Sequence, residues 1–133
     1  MKYLIHIVSV MSIMLLAAKV QAHEMVPTYP KLNSSYMEGL QVTTVTVFNK
    51  RPEVEYYEIG VFDDDWNALQ FVSQYKIYKV PHLSTVSIDI YIRNEDKYKV
   101  SYICSKSKLR KADGTVRTAV SSRICSRVKK RGE

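Results

Sequence analysis

Cysteine is scarce here: Cys104 and Cys125 are the only two in 133 residues. That excludes a disulfide-dense mini-scaffold and a four-cysteine zinc site. Four glycines and four prolines exclude collagen and low-complexity disorder. No apolar run reaches the roughly 20 residues of a membrane-spanning helix, so a multi-span membrane protein is excluded as well. The G-x-S-x-G nucleophile elbow, the phosphate-cradling glycine loop and the C-x-x-C redox pair are all missing. No spacing of Ser, His and Asp singles out a triad. These absences argue against an enzyme. There is no sustained helical period, no internal repeat and no linker, and the length suits one domain.

The first segment has the anatomy of an export signal. Lys2 supplies a positive charge, an apolar run follows from Ile7 to Ala18, and Val20-Gln21-Ala22 fits a small-residue cleavage site. We expect a signal peptide over 1–22 and a mature chain over 23–133, in the periplasm or outside the cell. Two cysteines in such a compartment are expected to pair.

Period-2 patterning dominates the mature chain. Leu40–Asn49, Val54–Phe62, Leu69–Val72, Tyr75–Val80, Val86–Ile92, Tyr98–Cys104 and Val116–Val128 read as strands. Turn residues separate them at Asn33-Ser34-Ser35, Asn49–Pro52, Asp63–Asn67, Asn94–Asp96 and Asp113-Gly114. Short strands at this spacing imply an all-β, single immunoglobulin-like antiparallel sandwich of about seven strands.

The midpoint of Cys104 and Cys125 falls between Gly114 and Thr115, beside the Asp113-Gly114 turn signal. A hairpin turning there sets the two cysteines opposite each other, so a cross-strand disulfide is expected between the last two strands. Tyr102-Ile103-Cys104 has the Y-x-C spacing of an immunoglobulin strand F, but no earlier cysteine exists to make the usual inter-sheet bridge. Trp66 falls in a loop and reads as an anchor packed on the end of the sandwich. Asp63-Asp64-Asp65 reads as a polar turn, since it lacks the glycine and distal glutamate of a calcium loop.

Charge is unevenly placed. His23–Asp96 carries 6 basic and 11 acidic residues, whereas Lys97–Glu133 carries 12 basic and 2 acidic. On the last hairpin, Lys106, Lys108, Arg110, Arg117, Arg123 and Arg127 form a candidate partner-binding face for a protein or an anionic envelope component. Nucleic acid is not expected, and the chain is expected to be a monomer or weak dimer. No cofactor is required. As an alternative, a mature chain starting at His23 offers an α-amine and a ring nitrogen to copper, with His82 completing a histidine brace.

Several segments resemble known families. Val45-Thr46-Val47-Phe48-Asn49 resembles strand B of periplasmic pilus-assembly chaperones, Val80-Pro81 with Leu83–Ile90 the segment leading into strand E, and Lys99–Ile103 strand F. Some of those proteins carry a disulfide between the last two strands of their first domain. The resemblance implies a chaperone N-domain fold. It also implies two cleft cations on the first and last strands that anchor a partner's terminal carboxylate, with Lys31 standing for the first and Arg123 or Arg127 for the second. The last strand departs from that pattern: Val120, Ile124 and Val128 alternate with Ser122 and Ser126, a poor apolar zipper for donor-strand addition. His23–Pro30, Val61-Phe62-Asp63 and Ser122–Ser126 are similar to small exported proteins of unknown function from marine cyanobacterial phages. That similarity implies action in a host envelope, with a virion surface component as a further alternative.

Overall fold

The computed structural model describes residues 22–109, 114–115 and 120–130. The expected signal segment up to Gln21 lies outside the described residues, as do Arg110, Asp113 and Arg117. Among the described residues no helix is long and apolar enough to cross a membrane.

Eight strands form in chain order: β1 (Glu24–Val26), β2 (Asn33–Ser34), β3 (Leu40–Phe48), β4 (Tyr56–Phe62), β5 (Ile77–Lys79), β6 (Thr85–Arg93), β7 (Tyr102–Lys108) and β8 (Arg123–Arg127). They make two antiparallel sheets. In the first, β3 pairs with β6 on one side and with β1 and β2 in succession on the other. The second runs β5-β4-β7-β8. The chain is therefore an all-β, immunoglobulin-like sandwich.

The alternation that marks the strands also builds the core. In β6, Ile88, Ile90 and Ile92 turn inward, and in β3 Val45 and Val47 do the same. They meet Tyr57, Ile59, Val61 and Ile103 from the second sheet. At 25–30 cal/mol per Å² of apolar surface, each of these side chains contributes about 1.5–3 kcal/mol. The opposite face of the first sheet is polar, with Thr44 Oγ1 donating to Asp89 at 2.6 Å and Thr46 beside Ser87 at 3.1 Å.

Cys104 lies directly opposite Cys125 in the β7–β8 ladder, and the two are joined with Cα atoms 4.0 Å apart. The ladder extends to Ser107 N–H donating to Ser122 O. The register expected from the midpoint of the cysteines is the register found. Gly114, at that midpoint, takes φ +78°, a conformation open to glycine without a Cβ clash.

Other expectations shift. Asn33-Ser34, read as a turn, is β2 and pairs with Val42 and Gln41. Its two residues are too few to show a period. Leu69–Val72 is not a strand. It crosses between the sheets, Leu69 N–H bonding to Val61 O in one and Val72 exchanging two hydrogen bonds with Tyr91 in the other. The strand expected to start at Tyr98 starts at Tyr102. A turn comes first, because buried Asp96 accepts from Arg93 Nη2 at 2.7 Å and from Lys99 Nζ at 2.9 Å. Of the expected strand 116–128, β8 is the part found; 116–119 lie outside the described residues.

Candidate functional site

Between β1 and β2 the chain leaves the first sheet. After the cis Val26-Pro27 bond it runs beside the end of β8, where Thr28 O accepts from Arg127 N–H and Pro30 O from Lys129 N–H. Lys31 thereby bridges Lys129 in parallel. These two lysines, with Lys97 and Lys130, line a cleft of about 530 Å³ whose other walls include Asn33, Gln41 and Tyr98. Among the described residues, no carboxylate lines it. Lys130 Nζ reaches Asp64 at 2.9 Å, and Lys97 Nζ stands 4.9 Å from the Tyr98 ring centre. The cleft is thus a concentration of positive potential on a scaffold fixed by backbone hydrogen bonds.

Of the cations that the chaperone resemblance implies, Lys31 lines this cleft, and the basic residue set beside it is Lys129; Arg123 and Arg127 are not among the cleft's lining residues. Arg127 shares a neighbouring recess with Tyr29 and Lys129. Arg123 stands on the outer face of the second sheet with its guanidinium 5.5 Å from the Phe62 ring. Lys106 is exposed on that face, opposite Arg123 and Glu58 in register. Lys108 is spent on an ion pair with Glu58 at 2.8 Å. The hydrogen bond from Lys108 holds the Glu58 carboxyl below its ordinary range. Sequence reasoning did not single out Lys129 because it lies two residues beyond Arg127, past the end of β8, where no strand period marks which basic residue meets Lys31.

A polar cluster sits at the end of the sandwich where β1 begins. His23 is 1% exposed. Its Nε2 lies 2.7 Å from Ser105 Oγ, its Nδ1 3.0 Å from Ser122 Oγ, and its ring packs 4.5 Å from that of Tyr57. Burial lowers its pKa to about 4; a hydrogen bond at Ser105 opposes this, and the positive charge of Arg51 adds to it. His23 is therefore neutral at pH 7, one ring nitrogen donating and the other accepting.

Arg51 is 3% exposed and its charge is compensated by Glu53 at 2.7 Å. Its Nη atoms donate to Ser122 Oγ at 3.2 Å and Val120 O at 2.9 Å. Asn49 is fully buried and fully used. Its Nδ2 donates to Val54 O and Val80 O, and its Oδ1 accepts from Arg51 N–H and from Tyr57 Oη at 2.6 Å. Burial raises the Tyr57 hydroxyl to about 12. Among the described residues no buried side-chain polar atom lacks a partner, which is what a polar cluster in a core requires.

This arrangement has little room for chemistry. Ser105, the closer serine to His23, is fully buried, and the other ring nitrogen faces a second serine where a triad would place a carboxylate. A copper brace at His23 has to displace a serine hydroxyl, because both ring nitrogens are engaged. His82, the second proposed ligand, is exposed in the turn between β5 and β6. Among the described residues no three His, Cys, Asp or Glu gather around a common point.

No protein-family model and no curated protein matches the chain. Among solved structures, the E. coli chaperone DraB is similar in fold, with TM-score 0.59 and 17% identity over 80% of this chain. The chain spans about half of that protein's length, 53%. A FixG-related protein from Vibrio parahaemolyticus aligns at TM-score 0.46 and 15% identity, covering 82% of this chain and 96% of the other. The likeness to DraB agrees with the immunoglobulin-like sandwich fold.

Proposed function

We propose that the chain is an exported, non-enzymatic binding domain that holds an anionic group of a partner protein in the cleft between Lys31 and Lys129. The observation that carries this reading is the like-charged pair itself. A parallel bridge fixes two lysines side by side, and two more line the same cleft, with no carboxylate among its described lining residues. Like charges set opposite each other in a sheet are unfavourable, and an arriving anion reverses that cost. The cleft, about 530 Å³, has room for a carboxylate and the protein segment that carries it, with Asn33 and Gln41 as polar lining. The chaperone-type fold and the disulfide support a binding role outside the reducing cytosol. The resemblance to phage-encoded exported proteins makes a host envelope protein the expected partner. The remaining cations of the last hairpin add long-range attraction and a faster encounter.

The experiment is an affinity capture from periplasmic extract at low salt, comparing the unaltered chain with Lys31→Glu/Lys129→Glu. A partner held at stoichiometric level by the first and lost by the second supports the cleft. Equal capture by both refutes it.

A further inference from the structure

The outer face of the second sheet carries an aromatic surface independent of the cleft. Its centre is Trp66, the sole tryptophan of the chain. Trp66 is stacked on Tyr102 with ring centres 4.4 Å apart and planes 5° from parallel, and Phe62 tilts toward it at 6.0 Å. Although Tyr102 covers one side of the indole, Trp66 remains 48% exposed, so the opposite side faces solvent.

The loop that presents Trp66 is tightly tied. Asp63 accepts from the N–H groups of Asp65 and Asn67 at 2.9 Å each and from Asn67 Nδ2 at 3.0 Å, and its own N–H donates to Asn67 O. Those hydrogen bonds, the side-chain one from Asn67 first, hold the Asp63 carboxyl below its usual range. Inside this loop Trp66 takes φ +64°, the left-handed region that a bulky residue rarely adopts. Neighbouring contacts must over-determine such a conformation, and what they achieve is a flat indole laid along the sheet.

The surface continues across the sheet. Gly60 has no side chain where Phe62 leans: a Cβ there would sit 2.8 Å from the Phe62 ring. The ring therefore lies over Gly60, and the Arg123 guanidinium stands 5.5 Å from its centre. Lys106 stands next to Arg123 in register. Among the described residues neither Lys106 nor Arg123 makes an ion pair. A flat aromatic plate leads to two cations, one on each of the two disulfide-linked strands.

The geometry points to a binding site for an acidic polysaccharide, one sugar ring lying on Trp66 and its neighbouring carboxylates meeting Arg123 and Lys106. The C–H face of a pyranose is apolar while its rim is polar, which matches an aromatic plane bordered by hydrogen-bonding groups. Carboxylates supply the complementary charge. A single exposed indole suits one seated ring. Single-stranded nucleic acid would instead call for a succession of stacking side chains along a basic groove. The disulfide suits a compartment outside the reducing cytosol, which is compatible with such a ligand.

Because Trp66 is the sole tryptophan, intrinsic fluorescence reports this site alone. Titration with polygalacturonate is expected to give a saturable change in Trp66 emission, and neutral dextran none. By calorimetry, Trp66→Ala and Lys106→Glu/Arg123→Glu should each weaken polygalacturonate binding by about tenfold, the loss of one good contact. Trp66→Phe keeps an aromatic plane and should stay within about threefold of the unaltered chain. Its thermal melt, compared with that of Trp66→Ala, separates lost folding from lost binding. Lys31→Glu/Lys129→Glu should retain the fluorescence response, which keeps this site distinct from the protein-binding cleft. An unchanged emission at saturating polygalacturonate overturns the site. So does unaltered affinity in Trp66→Ala. Polyphosphate binding as tightly, with no dependence on Trp66, would reduce the face to unspecific charge. Tighter binding of oligothymidylate through Trp66 would assign it to nucleic acid instead.

Discussion

Lys31 and Lys129 are paired across a parallel bridge, two ammonium-bearing residues held side by side by the backbone. The bridge exists because the chain leaves the first sheet after Val26, follows the end of β8 through Thr28 and Pro30, and returns to pair with β3 at Asn33. The crossing thus sets two like charges in register, where a sheet selected only for stability would alternate their sign.

Removing either charge should therefore cost nothing in stability. Lys129→Ala is expected to leave the unfolding free energy unchanged or to raise it by about 0.2–1 kcal/mol at low salt, the size of a cross-strand charge term. The gain should shrink as salt screens the pair. Denaturant unfolding at two ionic strengths checks this; a clear loss of stability would mean that Lys129 is a structural residue.

Acid should loosen the end of the sandwich. His23 has a folded pKa of about 4 against 6.5 unfolded. Between those values the unfolded chain binds the proton and the folded chain does not. Stability therefore falls as pH drops from 6.5 to 4, by a total on the order of 3 kcal/mol. His23→Gln keeps a polar group near Ser105 and Ser122 but does not titrate. Urea melts from pH 7 to 4 should show a steeper decline in the unaltered chain than in His23→Gln. Parallel declines would contradict a neutral buried His23.

The Cys104–Cys125 bridge closes a loop of 21 residues in sequence separation. Cys104→Ser/Cys125→Ser should lose about 3 kcal/mol in the chain-entropy model, read as a lower denaturation midpoint with little change in native secondary structure. A variant as stable as the original would show that the β7–β8 register is set by the ladder alone.

Gly60→Ala tests the seat of Phe62. The new Cβ would meet the ring's Cε2 at 2.8 Å and Cζ at 2.9 Å. These are the far atoms of a side chain, so the ring should swing away while the strand stays, at a cost of about 1 kcal/mol. Trp66 emission should shift with it, because Phe62 is a neighbour of the indole. An unchanged spectrum would place the ring elsewhere.

The fold was legible where one face of a strand is buried and the other wet. Val86 to Ile92 and Val45 to Val47 announced β6 and β3, and the cysteine midpoint set the β7–β8 register to the residue. Legibility failed where chain segments serve two sheets. Leu69–Val72 has the composition of a strand, yet its hydrogen bonds divide between Val61 and Tyr91. The cleft lysines other than Lys31 fall in the basic stretch after Asp96, which does not reveal their grouping. Lys31, Lys97 and Lys129 converge only through the crossing after β1, which leaves no period in the sequence. His23 is conspicuous as a residue, but nothing in its sequence neighbours forecasts Ser105 and Ser122 closing on its ring. Trp66 reads in the sequence as an anchor on the end of the sandwich, whereas its ring stacks on Tyr102 on the outer face of the second sheet. The left-handed backbone that lays its indole flat was not readable.

The most direct measurement is amide chemical-shift mapping of the ¹⁵N-labelled chain against the protein recovered by affinity capture. The account predicts the largest shifts at Lys31, Asn33, Lys97, Lys129 and Lys130, and their loss in Lys31→Glu/Lys129→Glu. Shifts concentrated on the β5 edge or on the Trp66 face, with the cleft unmoved, would contradict it.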